Sequence, residues 1–161
     1  MYFTGYHGTS RANGNNIIKT KCFDVSNSDT EWLGSGIYFY CEYSDALACS
    51  GDRTVLHTII YVDDNEYIDL DSENGKKIFN AVETKIDTRF KYLVSGNAQE
   101  NQCVIANMIW QEFEYIKLLI ASFAIKPSKI KTLIDGRKKR REFCIRDNSA
   151  IKSIQIIEDV I

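Results

Sequence analysis

The distribution of apolar and polar positions divides the chain into β-like ends and a helical middle. Tyr2–His7 predicts a short strand that ends in a Gly-containing turn. Ser10 suits a helix N-cap before Arg11–Lys19, although Gly14 weakens that helix. Val25–Glu31 is polar, with Asn, Asp and Ser in most positions, and predicts a loop. Ile37–Tyr40 predicts a short apolar strand, after which Ser44 caps a helical turn through Ala46–Cys49. Val55–Val62 and Tyr67–Leu70 are rich in β-branched and aromatic residues and predict strands, with Asp63–Asn65 turning between them. Ser72–Ile86 and Gln99–Phe113 carry apolar residues at helical spacing, for instance Cys103, Ala106, Ile109, Trp110 and Phe113. Lys117–Ile125 returns to β, Asp135–Gly136 marks a turn, and Glu142–Arg146 and Ile151–Ile157 close the chain as strands. Strands at both ends with helices inserted between them predict an α+β fold. The predicted core is Tyr2, Ile17, Ile37, Phe39, Val55, Ile59, Tyr61, Ile109, Leu118, Ile120, Phe123, Ile145 and Ile154.

Composition narrows the setting. A length of 161 residues accommodates one domain, 1–161, with a real core, and 44% hydrophobic with 26% charged residues describes a globular protein. No apolar run approaches the roughly 20 residues of a membrane helix, and the N-terminus lacks the pattern of a signal peptide. The five cysteines, Cys22, Cys41, Cys49, Cys103 and Cys144, are odd in number and form no CxxC pair. That spacing argues against a disulfide framework or a metal site and fits a reducing cytoplasm. A net charge of −2 gives no global attraction to nucleic acid, so any such affinity must be local.

Three segments concentrate candidate chemistry: Tyr6-His7-Gly8-Thr9-Ser10, Trp32-Leu33-Gly34-Ser35-Gly36-Ile37-Tyr38-Phe39, and Glu142-Phe143-Cys144-Ile145-Arg146-Asp147. Each alone has an ordinary reading as a strand end, a turn or a solvated charge. The Gly34-Ser35-Gly36 stretch does not fit a dinucleotide fingerprint, since no third glycine or helix follows. Together, in this order, they resemble the His-Tyr-Glu class of ADP-ribosyltransferases, typified by poly(ADP-ribose) polymerases and diphtheria toxin. The resemblance covers roughly the first fifty and last twenty-five residues. It implies an ADP-ribosyltransferase-like fold with split antiparallel sheets around an NAD cleft and a helical middle segment. It also implies NAD⁺ as co-substrate and no metal. By the same resemblance, His7 would bond the adenosine ribose, Gly8 would grip the nicotinamide carboxamide, and Tyr38 would stack on the nicotinamide ring. Glu142 would place its carboxylate beside the cation that develops when the glycosidic bond breaks, ionised at neutral pH without any tuning. Thr9, Ser44 and Tyr43 are further cofactor-contact candidates. A small hydroxyl residue common eight positions past the tyrosine is replaced here by Ala46, so Ser44 or Thr9 would have to supply that contact. Tyr40 is an added aromatic that fits either a second stacking face or the core.

The run Arg137-Lys138-Lys139-Arg140-Arg141 directly precedes Glu142, where such enzymes meet their acceptor. Five consecutive cations could grip phosphates and present a nucleic acid, RNA or DNA, or an acidic protein; Arg146 could extend the same surface. A solvated hairpin tip, or a patch that docks an inhibitory antitoxin protein, is the plainer reading. The expectation is a cytoplasmic mono-ADP-ribosyltransferase with no membrane partner, of bacterial or phage toxin or effector type. Competing readings are transfer to a protein target, an NAD⁺ glycohydrolase, an inactive relative kept as an RNA- or protein-binding module, and an unrelated small α+β interaction domain.

Overall fold

The computed structural model describes residues 1–124 and 139–157. The elements in chain order are β1 (Tyr2–Thr9), α1 (Arg11–Thr20), β2 (Ile37–Tyr40), α2 (Tyr43–Cys49), β3 (Thr54–Tyr61), β4 (Tyr67–Asp69), α3 (Glu73–Arg89), α4 (Ala98–Glu112), β5 (Leu118–Ala124), β6 (Lys139–Ile145) and β7 (Ile151–Ile157). The fold is α+β. Its seven described strands form one mixed sheet in the order β4-β5-β6-β2-β1-β3-β7.

Side-chain caps start three of the helices. The Ser10 side chain accepts from Asn13 N at α1, Ser72 from Gly75 N at α3, and Asn97 from Gln99 N at α4. Ser44 does not have the capping role expected of it. The helix starts earlier, Glu42 is the N-cap, and Ser44 lies exposed in the first turn of α2.

The sheet is one hydrogen-bonded unit rather than separate antiparallel sheets, and β4 runs parallel to β5. The Asp63–Asn65 turn does not fold β4 back on β3; it carries the chain across to β5, where Glu66 O accepts from Lys117 N (2.7 Å) and Leu118 N (3.2 Å). The seam between β1 and β2 is narrow, with one register pair, Tyr6–Tyr40, whereas β1 and β3 pair over eight. The two halves on either side of this seam share a core. Leu56 and Ile60 of β3 and Ile154 of β7 cluster with Phe39, Leu118, Phe143 and Ile145. Phe3 of β1 meets Tyr67 of β4 edge-on at 5.3 Å. A second cluster packs α3 and α4 on the opposite face of β4, β5 and β6, with Val82, Ile86, Ile109 and Trp110 against Ile68, Leu119 and Cys144.

Nine of the thirteen expected core residues are buried: Ile17, Ile37, Phe39, Val55, Ile109, Leu118, Ile120, Ile145 and Ile154. Tyr2 is 70% exposed, and Ile59, Tyr61 and Phe123 are only half-buried. On β3 the expected phase holds at Val55 and fails beyond it. Both sides of this strand are apolar, so alternation does not reveal which one meets the core, and after Val55 the fully buried residues are Leu56, Thr58 and Ile60. Among the described residues, no helix is long and apolar enough to cross a membrane.

Candidate functional site

The sheet order sets β1, β2 and β6 side by side, so His7, Tyr38 and Glu142 fall on three neighbouring strands. Tyr6 pairs with Tyr40, and Tyr40 with Glu142, in one row across the sheet; Tyr38 pairs with Cys144. Side chains alternate along a strand, so Tyr38, Tyr40 and Glu142 share one face while His7 faces the other. There the imidazole meets Phe23 at 5.1 Å and Phe39 at 6.0 Å. Its Nδ1–H donates to the Tyr38 carbonyl (3.0 Å), which ties β1 to β2 across the narrow seam. Burial holds this histidine below its ordinary pKa, so it is neutral at pH 7.

Tyr38 is fixed by the loop that precedes it. Its hydroxyl donates to Gly34 O (2.7 Å) and accepts from Leu33 N (2.8 Å). The same loop is anchored from α4, where Trp110 Nε1 donates to Leu33 O (2.8 Å) and Asn107 Oδ1 accepts from Ser35 N (2.8 Å). Gly34 has φ +76°, and a Cβ there would lie 2.4 Å from Asn107 Oδ1, so only glycine allows the turn and the anchor together. Burial pushes the Tyr38 hydroxyl above the usual phenol range.

Glu142 departs from the sequence expectation. Partial burial pushes its carboxyl up to about 7; Arg140 opposes this, while Glu31 and Asp45 add to it. Among the described residues, its carboxylate makes no hydrogen bond or ion pair. Arg140 lies over the Tyr40 ring at 5.0 Å, with Nε 3.7 Å from Asp45 Oδ1. Among the described residues, this half-buried patch sets Glu31 and Asp45 beside Glu142 against the one guanidinium of Arg140.

The other expected contact residues divide. Gly8 and Thr9 lie beyond the last rung between β1 and β2. The lack of a side chain at Gly8 answers first to α2: a Cβ would stand 2.1 Å from Ala46 O. Tyr43 sits beside Tyr6, their rings 6.0 Å apart, whereas Ser44 is exposed on α2. Of the basic run, Arg137 and Lys138 lie outside the described residues. Lys139 is exposed, but Arg141 pairs with Asp69 (2.7 Å) and Asp71 (3.7 Å), and Arg140 turns toward Asp45 and Tyr40. These two cations serve the fold, because strand pairing brings them next to acidic residues from β4 and α2. Arg146 likewise donates to the carbonyls of Glu114 (2.9 Å) and Trp110, and does not extend a basic surface.

Glu31 and Asp45 were not expected at the site; neither carried a signal, since only the fold brings their charge to bear on Glu142. Among the described residues, no group of His, Cys, Asp and Glu could hold a metal ion. No protein-family model matches the chain. The chain is similar to an uncharacterized protein of Methanocaldococcus jannaschii, 24% identical over 185 aligned positions that span 94% of this chain and 86% of that protein.

Proposed function

We propose that this protein is an NAD⁺ ADP-ribosyltransferase of the His-Tyr-Glu class, with the corresponding fold, that transfers one ADP-ribose to a macromolecular acceptor. The observation that carries the reading is the placement of the three motifs on adjacent strands, with Tyr38 and an uncommitted Glu142 on one face. Tyr38, locked by Leu33 and Gly34, offers a rigid ring beside the seam where Gly8 and Thr9 lie past the last rung. The excess of carboxylate around Glu142 favours positive charge on an incoming nicotinamide ring and on the ribose carbon as the bond breaks. His7 acts from behind this face, through the Tyr38 carbonyl; a contact of its ring with the adenosine ribose would have to use Nε2.

The acceptor reading is narrower than the sequence suggested. With Arg140 and Arg141 engaged inside the fold, the pull of a basic loop on nucleic acid rests on Arg137, Lys138 and Lys139. Water as acceptor, in an NAD⁺ glycohydrolase, is favoured by the same observation and stands as the second reading. A cytoplasmic toxin or effector, held by an antitoxin protein, remains the proposed setting. Incubation with NAD⁺ labelled in the adenosine, followed by separation of RNA, DNA, protein and free ADP-ribose, discriminates these readings. Label in a macromolecule supports transfer, free ADP-ribose alone supports hydrolysis, and intact NAD⁺ refutes both.

A further inference from the structure

A cleft of about 410 Å³ opens on the same sheet face as Glu142. Its floor is β5, where Ala121 is the register neighbour of Glu142 and Phe123 that of Arg140. Trp32 forms one wall, its ring centroid 5.1 Å from that of Phe123. Phe79, Lys76 and Asn80 of α3 form the other, and Gln102 of α4 lines the cleft as well. Among the described residues, Lys76 makes no ion pair, and the side-chain amides of Asn80 and Gln102 make no hydrogen bond. The one carboxylate in the lining, Asp71, is committed to Arg141 and Ser122.

Flat aromatic surface, unused amides and a single unpaired cation are the groups that recognise a base and its phosphate. We infer that this cleft seats an unpaired base of a single-stranded nucleic acid as the ADP-ribose acceptor, an inference that rests on the transferase reading. The base would stack on the Trp32 ring above Phe123, with its edge toward Asn80 and Gln102 and its phosphate toward Lys76. A base held in a duplex cannot enter such a cleft without being unpaired and unstacked. The described part of the cationic run begins at Lys139, the register neighbour of Ala124, so it enters the sheet at the end of the cleft floor. In the transfer, the bond between ribose C1′ and the nicotinamide nitrogen breaks and nicotinamide leaves neutral. A bond from C1′ to a nitrogen or oxygen of the base forms, and the acceptor proton passes to the Glu142 carboxylate.

The test is fluorescence anisotropy of short mixed-sequence DNA and RNA strands, labelled at one end and titrated with the full chain without NAD⁺. Single strands should bind more tightly than the matching duplexes. Trp32→Leu, and independently the exposed Lys76→Glu, should each weaken binding by about tenfold or more. Absence of strand binding, equal binding of duplex, or wild-type binding by a folded Lys76→Glu variant overturns the inference. Nicotinamide release from NAD⁺ is read in parallel without oligonucleotide. Release without strand binding sinks the base seat alone; strand binding without release sinks the transferase reading.

Discussion

Changing the pH between about 6 and about 8 titrates the Glu142 carboxyl. Glu142 sits in a half-buried patch with Glu31 and Asp45 nearby and one opposing cation, Arg140, and its carboxyl is held at about 7. If the ionised form is the active one, about one-tenth of the free enzyme is competent at pH 6, about half at pH 7 and about nine-tenths at pH 8. kcat/KM for nicotinamide release should therefore rise roughly tenfold across that interval. A glutamate with an ordinary pKa would be nearly all ionised at pH 6 and would give a flat profile. The neighbours supply the internal control. Glu31→Gln removes a negative neighbour and should move the midpoint down, while Arg140→Gln removes the opposing cation and should move it up. Steady-state release of nicotinamide at subsaturating NAD⁺ reads the free-enzyme value. A profile flat from about 5.5 to about 8.5, or midpoints unmoved in both variants, would mean that Glu142 does not control the rate in this way.

The same carboxyl has a consequence for stability. A folded-state pKa above the unfolded one means that the native state binds more protons in that window, so this carboxyl's own contribution to stability is greatest below about 4.5 and is lost as pH rises through about 7. Glu142→Gln should raise stability at pH 8 by about 1–2 kcal/mol, after discounting for the partial solvent access of the carboxylate, and change it little at pH 4.5, as read by denaturant melts at the two pH values. Leu56→Ala should cost about 3 kcal/mol and Ile59→Ala less than half of that, since only Leu56 faces the core shared by the two sheet halves; equal losses would contradict the observed phase of β3. Gly8→Ala should destabilise the chain by about 2 kcal/mol or more, because the added carbon meets the Ala46 carbonyl, and thermal melts would show it with or without NAD⁺.

Local chemistry explains what was legible beforehand. The apolar run Ile37–Tyr40 is the whole of β2, and Ser10 caps α1 as its position before Arg11–Lys19 suggested. The Glu142 strand and the Tyr38 strand were recognisable from their own letters, and the fold makes them partners. What escaped was set by tertiary context. The phase of β3 depends on which sheet half it meets, and a strand apolar on both sides does not encode that. The Asp63–Asn65 turn looks like a hairpin, yet Tyr67 and Ile68 find their partner in β5, far along the chain. Arg140 and Arg141 read as free cations until strand pairing sets them against Asp45, Asp69 and Asp71. The shift at Glu142 was invisible for the same reason, since Glu31 and Asp45 reach it only through folding. His7 was expected to share a hollow with Tyr38 and Glu142; strand alternation turns its ring to the opposite face, where Phe23 and Phe39 receive it.

The decisive measurement is nicotinamide release from NAD⁺ by the purified chain, compared with Glu142→Gln at pH 8. The wild-type protein should turn over NAD⁺, and a variant that remains folded should lose about 100-fold or more. Equal rates in the two proteins, or no release by either, would contradict this.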